Sequence, residues 1–190
     1  MKIEETSLPG VYLIEPKRFG DNRGFFSEVY KKHALAEAGI DLDFVQDNHS
    51  LSAERGVVRG LHYQAPPHAQ DKLIRVLRGR ILDVAVDIRR GSPHYGRSFA
   101  VELSAENGLQ LLVPKGFLHG FATLEPGCEV LYKVSDRYAP ECEGGVFWAD
   151  PDLGIDWGIR PSEAVLSGKD ELLPSFKDFE SPFEYAGGGE

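Results

Sequence analysis

The stretch Arg59-Gly60-Leu61-His62-Tyr63-Gln64 sets a guanidinium, an imidazole and an amide close together in a segment otherwise rich in strand formers. Histidine takes up and releases a proton near neutral pH, so His62 is the first candidate for a general base. A second histidine, His119, follows the Pro114-Lys115-Gly116 turn and opens an apolar strand. In residues 129–135 (EVLYKVS), alternation places Val130, Tyr132 and Val134 on one face, which stands the Tyr132 phenol in an apolar stripe directed inward. A core tyrosine with a satisfied hydroxyl gives the same pattern. In residues 80–88 (RILDVAVDI), Leu82, Val84, Val86 and Ile88 share one face, and Ile81, Asp83, Ala85 and Asp87 the other. With Arg78 and Gly79 as a two-residue hairpin turn, Lys72 falls opposite Ala85 and diagonal to Asp83. On residue types alone, a surface ion pair on a solvated face is the commoner outcome of that arrangement. A base, a phenol and a lysine together are nevertheless the set that removes a proton next to a ketone, holds the enolate oxygen against a cation and returns a proton from the other side.

Histidines in β-barrels also invite a metal, held by paired imidazoles and a carboxylate. Here His62 is followed by Tyr63 and Gln64, and no His-x-His or His-x-Asp arrangement stands nearby, so the sequence reads as a metal-free barrel.

The elements that must position these groups are short extended segments punctuated by Gly and Pro. Strands are expected over 11–16, 25–30, 44–52, 57–64, 72–77, 80–88, 98–104, 109–114, 119–124 and 129–135. Such spacing belongs to an all-β sandwich or barrel, and a cupin-like jelly roll with a few short peripheral helices is the economical architecture. A helix is expected over 31–39, closed by Gly39. From Pro151 onward Pro, Gly and Asp interrupt short apolar groups, and residues 186–190 read as a disordered tail beyond one domain spanning 1–185.

Whole-chain properties narrow the function classes. A chain of 190 residues, 42% hydrophobic, encloses one substantial core. A net charge of -9 gives no footprint for nucleic acid or an anionic membrane, although a local basic pocket could hold one phosphorylated ligand. No apolar run approaches the roughly 20 residues that span a bilayer, and the start MKIEETSLPG lacks a basic segment followed by an apolar stretch, so export is not expected. Cys128 and Cys142, the only cysteines, read as reduced thiols, which fits a cytoplasmic protein.

The segments RGFFSEVY, QDNHSLS, RGLHYQ, DKLIRVLRGRILDVAVDIRRGSP, VPKGFLHGF, EVLYKVSDRYAP and LSGKDELLPSF, in this order across about the whole chain, resemble the dTDP-4-dehydrorhamnose 3,5-epimerase family. The resemblance implies a cupin-type jelly roll, a homodimer, no cofactor, and inversion of C3 and C5 of dTDP-4-keto-6-deoxy-D-glucose to give dTDP-4-keto-L-rhamnose. It also implies roles. His62 would remove the protons, Asp170 would orient it, Lys72 would stabilise the enolate with Asp83 keeping it in place, and Tyr132 would donate the proton from the opposite face. The nucleotide half would comprise Arg23, Glu28, Gln46, Asn48, Arg59, His119, Glu143 and Lys169, with Tyr138 stacking on thymine and Phe19 or Phe26 walling the same pocket. Paired arginines suit a diphosphate because guanidinium bonds it bidentately. Alternatives left open by the residues are an epimerase acting at C3 or C5 alone, a non-catalytic sugar-nucleotide binding module, and a metal-dependent oxygenase. Gly60 marks a candidate bulge, since simple alternation would put Arg59 and His62 on opposite faces.

Overall fold

β-branched and aromatic residues alternating with polar ones form strands because successive side chains leave a strand on opposite faces, so one face can be buried while the backbone stays paired. In the computed structural model, which describes residues 1–187, the strands in chain order are β1 (Lys2–Glu5), β2 (Tyr12–Glu15), β3 (Arg18–Asp21), β4 (Gly24–Ser27), β5 (Gln46–Ser52), β6 (Val58–Gln64), β7 (Lys72–Arg78), β8 (Arg80–Asp87), β9 (Ser98–Ser104), β10 (Gln110–Val113), β11 (Phe117–Thr123), β12 (Cys128–Val134) and β13 (Glu143–Gly145). The short helix α1 (Lys32–Glu37) lies within the helical span expected from the sequence, and Gly39 beyond it has φ +81°. Strands β1, β3 and β13, only three or four residues long, go beyond those expected. Of the expected disordered tail, residues 188–190 lie outside the described residues.

A six-stranded sheet in the order β1-β2-β10-β7-β12-β5 faces a five-stranded sheet in the order β13-β6-β11-β8-β9, and β3 with β4 forms a separate hairpin. This is the jelly-roll sandwich anticipated from strand spacing. Ile74, Val76, Ile81, Ala85, Phe121 and Val130 pack between the sheets. Val84, Val86 and Leu61, from the outer face of the second sheet, pack against Trp148, Leu153, Trp157 and Phe183. The C-terminal segment has little regular structure, so its fixed course rests on this burial, worth about 2 kcal/mol per large apolar side chain. The same segment carries Asp170.

The hairpin expected at Arg78-Gly79 does not form. Gly79 turns with φ +76°, but β7 pairs with β10 and β12 while β8 pairs with β9 and β11, so the turn takes the chain from one sheet to the facing one. Lys72 therefore has no ladder register with Ala85. The alternation within β8 holds all the same: Ile81 and Ala85 belong to the core between the sheets, and Val84, Val86 and Ile88 to the outer one. Asp83, on the inner face, is completely buried rather than on a solvated surface.

The Gly60 bulge does form. On β11, His119 pairs with His62 and Phe121 with Arg59, so two residues of β6 oppose one of β11. Alternation is reset: Val58 and Leu61 join the outer core, while Arg59 and His62 both reach the inner cavity. Gly60 has φ +124°, and a Cβ there would lie 2.6 Å from Gly120 Cα and 2.8 Å from His119 O. Only glycine combines that conformation with so close an approach. The Gly60–Leu61 peptide is cis.

Candidate active site

A cavity of about 480 Å³ opens between the two sheets, and its walls include Arg59, His62, Lys72, His119, Tyr132, Glu143, Lys169 and Asp170. A smaller lobe of about 130 Å³ shares His62, Lys72, Tyr132 and Glu143 and adds Gln46, Asn48 and Tyr138. Most of the residues singled out from the sequence thus converge on one place.

Their origin in the fold decides what they can do. His62 and His119 come from β6 and β11 of the five-stranded sheet, where they face one another across the ladder. Tyr132 and Lys72 come from β12 and β7 of the six-stranded sheet. Tyr132 pairs with Ile74 in that ladder, which makes Lys72 its diagonal neighbour on the same face. On its other side Tyr132 pairs with Asn48 of β5. Facing sheets stand about 10 Å apart, so a flat ligand between them has His62 on one side and Tyr132 on the other.

His62 Nε2 lies 2.6 Å from Asp170 Oδ1. Asp170 begins the 3-10 turn Asp170–Leu172 and is buried. Burial works to raise its pKa, but the bond to His62, that residue's charge, Ser167 and the Gly60 backbone together hold it below the ordinary carboxylate value. An ionised carboxylate only accepts, so His62 Nε2 is the donor, and in the neutral form of the ring the lone pair is left on Nδ1. A base held in that tautomer, with a carboxylate ready to stabilise its imidazolium, is competent to abstract a proton.

Across the cavity, burial pulls the Lys72 ammonium down to about 8, against the charges of Glu143 and Asp83, which favour it. Asp83 reaches Lys72 by charge from the facing sheet. Its direct partner is His119, whose Nε2 stands 2.8 Å from Asp83 Oδ1. The other oxygen, Oδ2, is buried with no hydrogen-bond partner among the described residues. Tyr132 is pushed above its ordinary pKa by burial, with Arg59 opposing and Glu143 reinforcing. The phenol thus remains protonated, as a proton donor must.

Toward the smaller lobe, the Tyr138 hydroxyl donates to Glu143 Oε2 at 2.7 Å, and Lys169 Nζ donates to the same oxygen. Burial tends to raise the Glu143 pKa, but these two bonds keep it below the usual value. Gln46 Nε2 donates to Asn48 Oδ1 at 2.7 Å, and Gln46 Oε1 accepts from the Tyr138 amide. Arg59 donates to Ser52 Oγ and Leu51 O at 3.2 and 3.1 Å. No carboxylate among the described residues pairs with it, so its charge is fixed in place yet available to an anion.

Arg23, Glu28, Phe19 and Phe26 are not brought into the cavity of their own chain. They lie on or beside the β3–β4 hairpin, where Phe19 and Phe26 are 48% and 67% exposed. Arg23 bonds Asp21, and Glu28 bonds Lys31 at 2.9 Å. Residues not anticipated as cavity walls include Ser50, Val57, Phe121, Val165 and Ser167. Ser50 was legible, because alternation along β5 puts it on the face of Gln46 and Asn48. Val165 was not, since it reaches the site through an isolated bridge to Val57. Among the described residues, no group of three or more His, Cys, Asp or Glu side chains is placed to hold a metal ion.

A jelly roll that opposes a carboxylate-backed imidazole and a protonated phenol across one cavity, with a lysine beside the phenol, is the framework of an isomerase that works by proton transfer at carbon. The family model for dTDP-4-dehydrorhamnose 3,5-epimerase matches residues 5–178. Curated proteins of that name from Pseudomonas aeruginosa and Sinorhizobium fredii are 50% and 48% identical to this chain, over 94% and 97% of it and 97% and 94% of their own lengths. The crystal structure of the epimerase from Legionella pneumophila, in complex with dTDP-4-keto-L-rhamnose, superposes with a TM-score of 0.93 at 42% identity, covering 98% of this chain and 99% of that one. The chain belongs to the dTDP-4-dehydrorhamnose 3,5-epimerase family.

Proposed function

We propose that this protein inverts C3 and C5 of dTDP-4-keto-6-deoxy-D-glucose, giving dTDP-4-keto-L-rhamnose for dTDP-L-rhamnose synthesis, and that it does so without a cofactor. The C4 ketone acidifies the hydrogens on both neighbouring carbons. His62 Nδ1 removes the C5 proton, the electron pair moves into the enolate, and Lys72 holds the enolate oxygen that forms at C4. Tyr132 gives a proton to C5 from the opposite face of the ring. Proton exchange with solvent resets the pair, and the same sequence at C3 completes the reaction. Asp170 stabilises the imidazolium in each cycle. Arg59 holds the diphosphate, and Tyr138, Glu143, Lys169, Gln46, Asn48 and His119 hold the rest of the nucleotide sugar.

The observation that carries this reading is that His62 and Tyr132 enter one cavity from opposite sheets. Inversion requires a base and an acid on opposite faces of a carbon, whereas both groups on one face would only exchange the proton. The test is proton NMR with the 4-keto sugar nucleotide in deuterated buffer, with and without a chelator. Loss of both the C3 and C5 proton signals with formation of the L-sugar is expected. Exchange at one carbon alone would make the protein a single-position epimerase, and no exchange would leave a binding module.

The protein is further proposed to act as a cytoplasmic homodimer of one domain spanning residues 1–185. What supports the dimer is the hairpin: Phe19, Phe26 and Arg23 project from their own chain, exposed and away from its cavity. Exchange of hairpins between two copies would place these residues, with Glu28, over the partner's nucleotide lobe. Among the described residues, no helix is long and apolar enough to cross a membrane.

A further inference from the structure

We propose that Gln64 is a positioning residue that fixes Tyr138 relative to the base His62. Gln64 ends β6, two residues after His62, and only 5% of its surface is exposed. Its side-chain oxygen accepts the Ala139 amide at 2.9 Å. Its nitrogen donates to the Arg137 carbonyl at 2.9 Å and to the His68 carbonyl. Arg137 and Ala139 flank Tyr138, so one buried amide grips the peptide groups on both sides of that aromatic residue. Gln64 is also the ladder partner of Glu143, the residue that receives the Tyr138 hydroxyl. A closed circuit therefore runs from the strand of the base through Gln64 to both flanks of Tyr138, and back through Glu143 to β6. Tyr138 itself is 53% exposed and lies in a segment without regular structure. Gln46 also accepts the Tyr138 amide, so the circuit adds to that restraint, and whatever order of the ring were lost with it would have to come from the ligand at the expense of affinity. With both donors and the oxygen of the amide partnered, the buried glutamine is satisfied where it borders the smaller lobe.

The inference rests on the reading of Tyr138 as the group that meets the nucleotide base, so its test separates the two. Affinity for dTDP is measured by calorimetry for wild type, Gln64→Leu, Tyr138→Ala and the double variant, together with KM and kcat for the 4-keto sugar nucleotide. Gln64→Leu should weaken dTDP binding and raise KM by about tenfold, with kcat held within about twofold. In the Tyr138→Ala background the same change should add less than about twofold, because the residue through which Gln64 acts is gone. Equal weakening in both backgrounds, or loss of kcat at unchanged KM, overturns the proposal by showing that Gln64 serves the core or His62 instead. If Tyr138→Ala leaves dTDP affinity intact, the nucleotide reading of Tyr138 fails first and this proposal with it. Gln64→Glu, which keeps the size and the bond from Ala139 but replaces both donors, should show the same KM increase even if the leucine variant does not fold. Wild-type KM in the glutamate variant refutes the role.

Discussion

Replacing Lys72 by arginine tests how the enolate is held. Burial brings the ammonium from 10.5 to about 8, against the favourable charges of Glu143 and Asp83. This corresponds to about 3 kcal/mol against the charged form. A lysine depressed in this way is charged below about 8 and neutral above it, so its hold on the enolate is nearly complete at neutral pH and falls about tenfold for each pH unit beyond. The Tyr132 phenol does not create the same limb, because burial raises its pKa from an ordinary value that is already 10.0. A guanidinium stays charged beyond about pH 12. Lys72→Arg should therefore cost about 10- to 100-fold in kcat through altered geometry, yet move the alkaline limb of kcat/KM upward by at least about one pH unit. The assay is the rate of solvent deuterium entry at C5, followed by NMR from about pH 6 to 10. An unmoved limb in the arginine variant would assign the titration to another group and refute the reasoning. Lys72→Met, with no cation, should lose about 10²- to 10³-fold, and a near-normal rate in that variant would remove Lys72 from the mechanism altogether.

Other perturbations separate the remaining parts. Asp170→Asn keeps the shape of the dyad but removes the charge that fixes the His62 tautomer, so kcat should fall about 10³-fold or more, and a loss below about tenfold would leave His62 independent of Asp170. Tyr132→Phe should still admit deuterium from solvent while inversion is largely lost, and full epimerisation by that variant would transfer the acid role to another group. Elemental analysis after chelation should find full activity with no stoichiometric metal, and activity restored only by an added divalent ion would overturn the metal-free reading. Arg23→Glu, on the exposed hairpin, should raise KM for the nucleotide sugar by about tenfold if the partner's hairpin reaches the diphosphate, and an unchanged KM would detach the hairpin from the site.

Much of the site could be read from local pattern. Alternation placed Tyr132 on an inward face and grouped Asp83 with Ile81 and Ala85 without telling that this face is the buried one, the position of Gly60 between Arg59 and His62 pointed to a bulge, and the strand spacing indicated a sandwich. These properties are local: a side chain's face follows from the period of two, and a bulge follows from one glycine at a crowded crossing. The turn at Gly79 shows the limit. Arg78-Gly79 can close a hairpin or carry the chain across to a facing sheet, and the choice depends on which strands lie beside β7 and β8 once the fold assembles.

By itself the sequence determined which side chains are available for proton transfer, which faces of their strands they occupy, and, through motifs spread over the chain, the family to which they belong. Tertiary structure alone decided that His62 and Tyr132 face each other from opposite sheets, and that Asp83 bonds His119 while touching Lys72 only by its charge. It also decided that Asp170, 108 residues beyond His62, bonds the His62 imidazole. No periodicity links residues so far apart. Their meeting comes from sheet pairing and from the burial of Trp148, Trp157 and Phe183, which fastens the irregular C-terminal segment across β6, β11 and β8.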